Sequence, residues 1–419
     1  MKNNLACIIL AAGKGERMKS ETPKVLHRVC GRPMINYVLD LSKELKIKSS
    51  VVVLGHKAEE VKKVIPEGFK IAIQKKLAGT ADAVKEALPK LTGFSGSILI
   101  LYGDIPLLKK ETLKNLLEQH SKSGADLTIL TAVLDKPSGY GRILRDKYTA
   151  ICGIVEEKDA DDFEKDIKEI NTGIFCVKKD KLEKAIKLIR PNNRKNEYYL
   201  TDILKIIYKN GGVIEGMKIP DIDEALGINS RVELAKATGI MQKRINEKLM
   251  QQGVTIIDSD SAFINFGVKI GSESVIYPFT VIENGVKIGK RCSVGPFAHL
   301  REGTELKDEV LAGNFIEFVR SHIGSKTFLK HFCYIGDTRI GSKANIGAGT
   351  VTANFDGTNK NLTVIKDSAF VGCDTVIVAP AKIGKSAVTG AGSVILRHQN
   401  IKDGQTVAGV PAKIIKRKR

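Results

Sequence analysis

From Gly253 onward the chain repeats an aliphatic–glycine pair, and no other feature restricts its fold so far. Ile270-Gly271, Ile288-Gly289, Val294-Gly295, Ile323-Gly324, Ile335-Gly336, Ile346-Gly347, Val371-Gly372 and Ile383-Gly384 recur. Most intervals are multiples of six, and the step from 294 to 323 is one short of a multiple. A hexapeptide period implies a parallel β-helix with three short strands per coil. The aliphatic residue points inward, and the glycine or another small residue makes the corner. Such a solenoid stacks in one dimension. The stretch Asn354–Asn361, NFDGTNKN, breaks the period and reads as an excursion loop, the usual place for function.

The repeat covers only residues 253–419, and 419 residues are too many for one ordinary core. The chain divides on this reading into residues 1–229, a linker over 230–252, and the repeat. The linker carries Leu234, Thr238, Met241, Ile245 and Leu249 at helical spacing without proline, so the pattern predicts a helix from near Ser230 to Gln251. Its Met and Leu stripe reads as packing.

The first 229 residues have another rhythm. Ala6–Leu10, Ser50–Leu54, Ile71–Ile73, Ser97–Leu101 and Asp126–Val133 read as strands. Helical stretches lie between them: one reaching Leu45, Ala81–Leu91 and Lys110–Ser121. This alternation predicts a mostly parallel, doubly wound sheet, in which ligands collect at the carboxyl ends of the strands. The loop after the first strand, Gln74 and Asp104 all fall at such ends. That loop, LAAGKGERMKSETPK over Leu10–Lys24, sets glycines beside Lys14, Arg17 and Lys24. Glycines let a backbone approach an anion, and the cations neutralise it, as a nucleoside triphosphate requires. A dinucleotide fingerprint fails, because Met18 stands where its third glycine belongs, and no Gly-Lys-Ser/Thr completes a P-loop. Asp104, just past a buried strand, suits Mg²⁺; a helix N-cap is the plainer reading. Gly79-Thr80 opens a helix and suits a base or phosphate, or is an ordinary cap. Gly139-Tyr140-Gly141-Arg142, Glu156, Asn171-Thr172-Gly173 and Glu197–Asp202 offer polar groups that suit sugar hydroxyls, though turns and caps explain each singly.

Composition narrows the classes. No apolar run approaches the ~20 residues that span a bilayer, and the opening MKNNLACIILAAGKG is too short in apolar residues for a signal peptide. Seven cysteines without a CxxC pair suit reduced, cytoplasmic thiols. The net charge of +20 is spread among 47 acidic residues, and only Lys413–Arg419 is a basic cluster. That favours a lysine-rich surface and small anionic ligands over nucleic acid.

LAAGKGERM with Pro23-Lys24, then QKKLAGTADA, LYGDIPL, GYGRI, INTGI, EYYLTD and GINSR follow in one order over about 230 residues. The set resembles the sugar-1-phosphate nucleotidyltransferases, and most closely the family of bifunctional N-acetylglucosamine-1-phosphate uridyltransferase / glucosamine-1-phosphate acetyltransferases. Members of that family end in a hexapeptide β-helix, so the resemblance spans essentially the whole chain. It implies a left-handed helix and a homotrimer. It implies that Leu10, Ala11, Ala12, Gly13, Lys14, Gly15 and Lys24 cradle UTP, with Arg17 and Lys24 as catalytic cations, and that Gln74, Gly79 and Thr80 read uracil. Asp104 and Asn229 would hold Mg²⁺. Tyr102, Gly103, Asp104, Gly141, Glu156, Asn171, Tyr199, Thr201 and Asn229 would surround N-acetylglucosamine 1-phosphate. In the second half His331 matches a general base. Arg301, Glu317, Tyr334, Asn345, Asn354 and Lys360 match the glucosamine 1-phosphate site, and Ala348, Asn354, Phe355, Cys373 and Ala391 the acetyl-CoA site.

The chain departs from the family at several points. A second phosphate-binding cation is replaced by Val319, with Arg320 adjacent; neighbouring side chains on a strand point to opposite faces. Phe355 replaces a tyrosine, Cys373 a serine, and Gly409 falls near a CoA-binding arginine. The β-helix is about two coils short before Arg301, and VPAKIIKRKR replaces a longer arm, leaving Lys413, Lys416 or Arg417 for the CoA phosphate. These departures bear on phosphate grip and CoA affinity. A uridyltransferase with a merely structural β-helix is the alternative, and a non-catalytic regulatory subunit a remote one. The last predicts erosion of Lys24, Asp104 or Asn229, and all three are present.

Overall fold

The computed structural model describes residues 4–191, 193 and 196–415. Contacts divide the chain into two compact units, Met1–Val29 with Pro33–Ile240, and Cys30–Arg32 with Met241–Arg419. The division falls inside a single helix, Arg231–Gln251.

The first unit is built on the strand Leu5–Ala11, paired in parallel with Ser97–Tyr102 on one side and Ser49–Leu54 on the other. Lys70–Ile73 continues the parallel set. Residues 51–54 and 98–101 are wholly buried, as expected for strands covered on both faces. Beyond Ser97–Tyr102 the order is Glu169–Lys178, Leu127–Val133 and Ile214–Lys218. Glu169–Lys178 runs antiparallel to both neighbours, so the sheet is mixed there. The connection from Leu127–Val133 explains the reversal. It holds an antiparallel pair, Arg142–Arg145 with Ile151–Val155, instead of a full crossover helix. The α-helix expected over 81–91 ends at Ala87 and tightens into a 3₁₀ turn, Leu88–Leu91, at Pro89, which has no N–H to give.

In the second unit the chain winds as a left-handed parallel β-helix. Its inward residues, from Ile264 through Ile270, Ile276 and Ile282 to Phe318, stand six apart and are buried. The rule fails three times. Phe318 to Ile323 and Ile335 to Ile340 are five-residue steps, and Thr352 to Ile365 contains the NFDGTNKN excursion. The glycine spacing carries both short steps: Val294-Gly295 to Ile323-Gly324 is one residue short of a multiple of six, and so is Ile335-Gly336 to Ile346-Gly347. Corners are not always small: Phe279, Phe297 and Phe315 take left-handed φ of 58°, 55° and 54°, and their rings stack at 5.0 Å. From the Arg231–Gln251 helix, Asn246 donates to the carbonyls of Ser259 (2.9 Å) and Ala262 (3.1 Å), and Gln242 to Ile264 (3.0 Å). Both side chains are buried and satisfy carbonyls of the opening turn of the β-helix.

Candidate active sites

Three distant segments of the first unit converge on Lys24. Its ammonium bonds to the Asp104 carboxylate and, at 3.0 Å, to Asn229 Oδ1. Each partner is held from behind. Gly103 N–H donates to Leu10 O at 2.9 Å, and Ile228 N–H to Asp104 O at 3.0 Å. Asn229 N–H donates to the Glu233 carboxylate at 2.7 Å, which also accepts from Ser230 Oγ at 3.0 Å. Ser230-x-x-Glu233 is a capping-box spacing, so the helix start that aims Asn229 is legible in the sequence. Asp104 is not a helix cap; the next helix opens at Lys110. Two oxygens that meet one cationic group make a donor set fit for Mg²⁺ with phosphate oxygens and water. Among the described residues no cluster of three or more His, Cys, Asp or Glu offers another metal site.

The loop above this point departs from a dinucleotide loop for a physical reason. Leu10, Ala11 and Ala12 are buried, Gly13 and Lys14 are exposed, and Gly15 takes φ 68°. A methyl group added to Gly15 would stand 2.6 Å from Lys24 Cβ, so glycine is required for the lysine to pass. Met18 is buried in the short 3₁₀ turn Glu16–Met18, where it packs as core. Arg231, which sequence reasoning did not single out, donates to Met18 O (3.3 Å) and contacts His27 (3.1 Å), pinning the turn. Lys14 and Arg17 are exposed, and their side chains have no partner among the described residues.

A second group lies around Tyr102. Gln74 is buried and donates to Gly79 O (2.9 Å) and Asp82 (2.8 Å), which commits its amide nitrogen and leaves its carbonyl oxygen to accept. Asp82 was missed, although its place in the first turn of Thr80–Ala87 puts it within reach. Thr80 Oγ1 accepts from Leu200 N–H at 2.9 Å, so its side chain fastens the 197–201 strap. Burial, then the charges of Glu156 and Asp104, pushes the Tyr102 phenol up. Thr201 Oγ1 donates to Glu156 at 3.1 Å, and Gly141 lies against that same carboxylate. Asn171 N–H donates to Gly141 O (2.8 Å), and its side chain accepts from Gly173 (2.7 Å). The Tyr199 phenol is pushed up to about 12 by burial and by Asp159, Glu197 and Glu156. Gly79, Thr80, Tyr102, Gly141, Glu156, Asn171, Tyr199 and Thr201 thus gather on one side of the sheet's carboxyl edge.

In the β-helix the register aligns Phe328, Asn345, Phe370, Val388 and Thr406 on successive coils. Three residues beyond each stand His331, Ala348, Cys373, Ala391 and Gly409, one corner column at about 4.8 Å per coil. Four separate sequence matches therefore fall in line, and the glycine extends the line. His331 is exposed, as are Cys373 and Ala391. On the adjoining face Glu317 and Tyr334 are register partners, and Arg301 pairs with Glu317 at 3.0 Å. Val319 is buried, whereas Arg320 is exposed and grips Asp337 through two bonds of 2.6 and 2.7 Å. Asp337 in turn bonds Asn354 Nδ2. Phe355 and Lys360 bridge the base of the excursion. Asp356 binds its tip through N–H groups of Thr358 and Asn359 and the side chain of Asn361, and pairs with Arg397 at 2.9 Å. Asp337 and Arg397 were missed because neither stands near the excursion in sequence. Lys413 lies in a short antiparallel strand with Thr406–Ala408, and Lys416 and Arg417 lie outside the described residues.

Known proteins carry the same two parts. Residues 7–159 match the MobA-like NTP transferase domain, and residues 267–302 match the bacterial transferase hexapeptide (six repeats). The bifunctional protein GlmU of Thermosipho africanus (strain TCF52B) is 47% identical, over 93% of this chain and 91% of that protein. GlmU of Geobacillus sp. (strain WCH70) is 42% identical over 93% and 92%. GlmU of Desulfitobacterium hafniense (strain DSM 10664 / DCB-2) is 41% identical over 94% of each. Two transferase modules in one order, with identity of this level along nearly the full length, place the chain in the GlmU family.

Proposed function

We propose that this protein is a bifunctional enzyme of UDP-N-acetylglucosamine synthesis, feeding cell-wall precursors. It N-acetylates glucosamine 1-phosphate with acetyl-CoA, then transfers a uridyl group from UTP to N-acetylglucosamine 1-phosphate and releases pyrophosphate. The observation that carries the reading is the meeting of Lys24, Asp104 and Asn229 beneath the Leu10–Gly15 loop.

In the uridyl transfer a sugar-phosphate oxygen attacks the α-phosphorus in line as the bond to pyrophosphate breaks. No covalent protein intermediate is needed; positioning and charge neutralisation suffice. Backbone from Leu10 to Gly15 cradles the triphosphate, with Lys14, Arg17 and Lys24 neutralising it. Gln74 offers its free carbonyl oxygen to the base, with Gly79 and Thr80 shaping that pocket. Gly141, Glu156, Asn171, Tyr199 and Thr201 orient the sugar. Asp104 and Asn229 would hold Mg²⁺, which when bound would add to the neutralisation of the phosphates.

In the acetyl transfer the amine of glucosamine 1-phosphate attacks the thioester carbonyl, its proton passes to the His331 imidazole, and the CoA thiol leaves. Arg301, Glu317, Tyr334, Asn345, Asn354 and Lys360 hold the sugar phosphate. The Ala348–Cys373–Ala391 column receives acetyl-CoA, its small side chains leaving room along the corner. The protein acts as a homotrimer in the cytoplasm, where both co-substrates are found. No described helix is long and apolar enough to cross a membrane.

Two assays on one preparation test this. Thiol release from acetyl-CoA and glucosamine 1-phosphate reports the first step, and pyrophosphate release from UTP and N-acetylglucosamine 1-phosphate the second. Absent thiol release refutes the acetyl transfer. An Asp104→Ala variant with full Mg²⁺-dependent pyrophosphate release refutes the metal assignment.

A further inference from the structure

The three failures of the six-residue rule fall on one corner column, on consecutive coils. The first short step places Arg320 at the corner, the second places Asp337 there, and the excursion begins at Asn354, each seventeen residues after the last. Arg320 and Asp337 take left-handed φ of 47° and 46°, a region uncommon for arginine and more readily entered by aspartate. Buried hydroxyls make both corners rigid. Ser321 Oγ donates to Val319 O (2.9 Å) or Ile335 O (3.0 Å) and accepts from Thr338 N–H (3.0 Å). Thr338 Oγ1 donates to Gly336 O at 2.8 Å, and Thr352 Oγ1 accepts from Gly336 N–H at 2.8 Å.

We infer that Arg320 and Asp337 are positioning residues for acetyl transfer, a relay of side chains that fixes Asn354 and the root of the excursion loop. The geometry is directional. The guanidinium takes both Asp337 oxygens in a bidentate pair, which fixes the carboxylate plane. That carboxylate then accepts from Asn354 Nδ2 and aims the amide oxygen toward Tyr334, whose hydroxyl lies 3.5 Å from it. Asn354 is itself buried, so no water competes strongly for its amide. Arg320 holds the Asp337 carboxyl below the usual carboxylate range, assisted by Asn354 and Lys360, so the relay stays charged at neutral pH. The same commitment means that Arg320 does not replace the cation missing at Val319: its charge is spent within the corner. The inference rests on the acetyl-transfer reading.

Arg320→Ala, Asp337→Ala, the double variant and Arg320→Lys, all in the full-length chain, test it. Pyrophosphate release serves as an internal control of folding and concentration, and thermal denaturation follows the β-helix. Misplacing a substrate-contacting amide by about 1 Å costs on the order of a hundredfold. Each alanine variant is therefore expected to lose tenfold to a hundredfold, on that principle, in acetyl-transfer kcat, with uridyl transfer unchanged. The double variant should lose no more than the Asp337→Ala variant, because the two act as one unit, and Arg320→Lys should recover part of the loss. A rise in KM for glucosamine 1-phosphate confined to Arg320→Ala, with Asp337→Ala unaffected, would mean that Arg320 binds the phosphate itself and overturns the relay. Unchanged kcat in both alanine variants overturns it too. A wild-type protein that releases no thiol removes the acetyl-transfer reading and the relay with it, whereas an active wild type with active variants removes the relay alone.

Discussion

Gly79 is the position at which one methyl group should separate the two activities. Its backbone lies at φ 123° and ψ 177°, a region that L side chains rarely adopt. A Cβ added there would stand 2.4 Å from Tyr198 O and 2.7 Å from Tyr198 N, so the backbone of the 197–201 strap must move by about 1 Å to reach ordinary contact. Three hydrogen bonds tie the strap to this corner: Tyr198 N–H to Ala78 O (2.8 Å), Ala81 N–H to Tyr198 O (2.9 Å) and Leu200 N–H to Thr80 Oγ1 (2.9 Å). Loosening them costs about 1 kcal/mol each, and the strained φ adds about 1–3 kcal/mol. The Gly79→Ala variant should therefore lose about 4–6 kcal/mol of stability in the first unit. Tyr199 and Thr201 move with the strap, so uridyl transfer should fall by about tenfold to a hundredfold. Acetyl transfer, assayed on the same sample, should keep its wild-type rate. Pyrophosphate release at the wild-type rate, with an unshifted first unfolding transition, would refute the argument that this glycine is required by the strap.

The other expectations concern single contacts. Replacing Arg397 with alanine removes the ion pair with Asp356 at the excursion tip. Acetyl transfer should weaken several-fold while uridyl transfer stays constant, and equal loss in both assays would argue against a local role. Changing Asn246 to leucine strands the carbonyls of Ser259 and Ala262 in a buried place, which should destabilise the β-helix by about 2–4 kcal/mol; a denaturation midpoint equal to wild type would contradict this. His120 is buried between Ser97 Oγ (2.9 Å) and Thr128 Oγ1 (2.8 Å), and burial, then Lys178, lowers its pKa below the ordinary 6.5. Its folded value lies below its unfolded one, so its contribution is complete above about pH 6.5 and is lost as pH falls through the folded value. Denaturation at about pH 7.5 and 5.5 should show a smaller acid loss for a His120→Gln variant than for wild type; equal losses would exclude this histidine as a source.

How much of this was legible in advance depended on the range of the forces involved. The strand Leu5–Ala11 and the helix Arg231–Gln251 were readable because burial on both faces, or on one stripe, marks each residue locally. The reversed strand Glu169–Lys178 was not, because direction depends on what fills the preceding connection. Met18 looked like a defective glycine and is a core residue, since the loop coils into a 3₁₀ turn there. Gln74 and Asp104 stood out by ending strands, whereas Asp82 and Arg231 became visible only with their partners, Gln74 and Met18, in place.

The amino-acid sequence alone determined the two architectures, because periodic burial is written residue by residue and the hexapeptide rule admits little else. It also determined which chemical groups are present to grip phosphates and move a proton. Tertiary structure decided which groups meet. Lys24, Asp104 and Asn229 are separated by 80 and 205 residues from the lysine, and only the closing of the sheet brings them together. Likewise, two missing residues at the corners of the β-helix bring Arg320, Asp337 and Asn354 into one line. A coil stacks its corners at a fixed rise, so a deletion that is faint in the sequence becomes a contact in space.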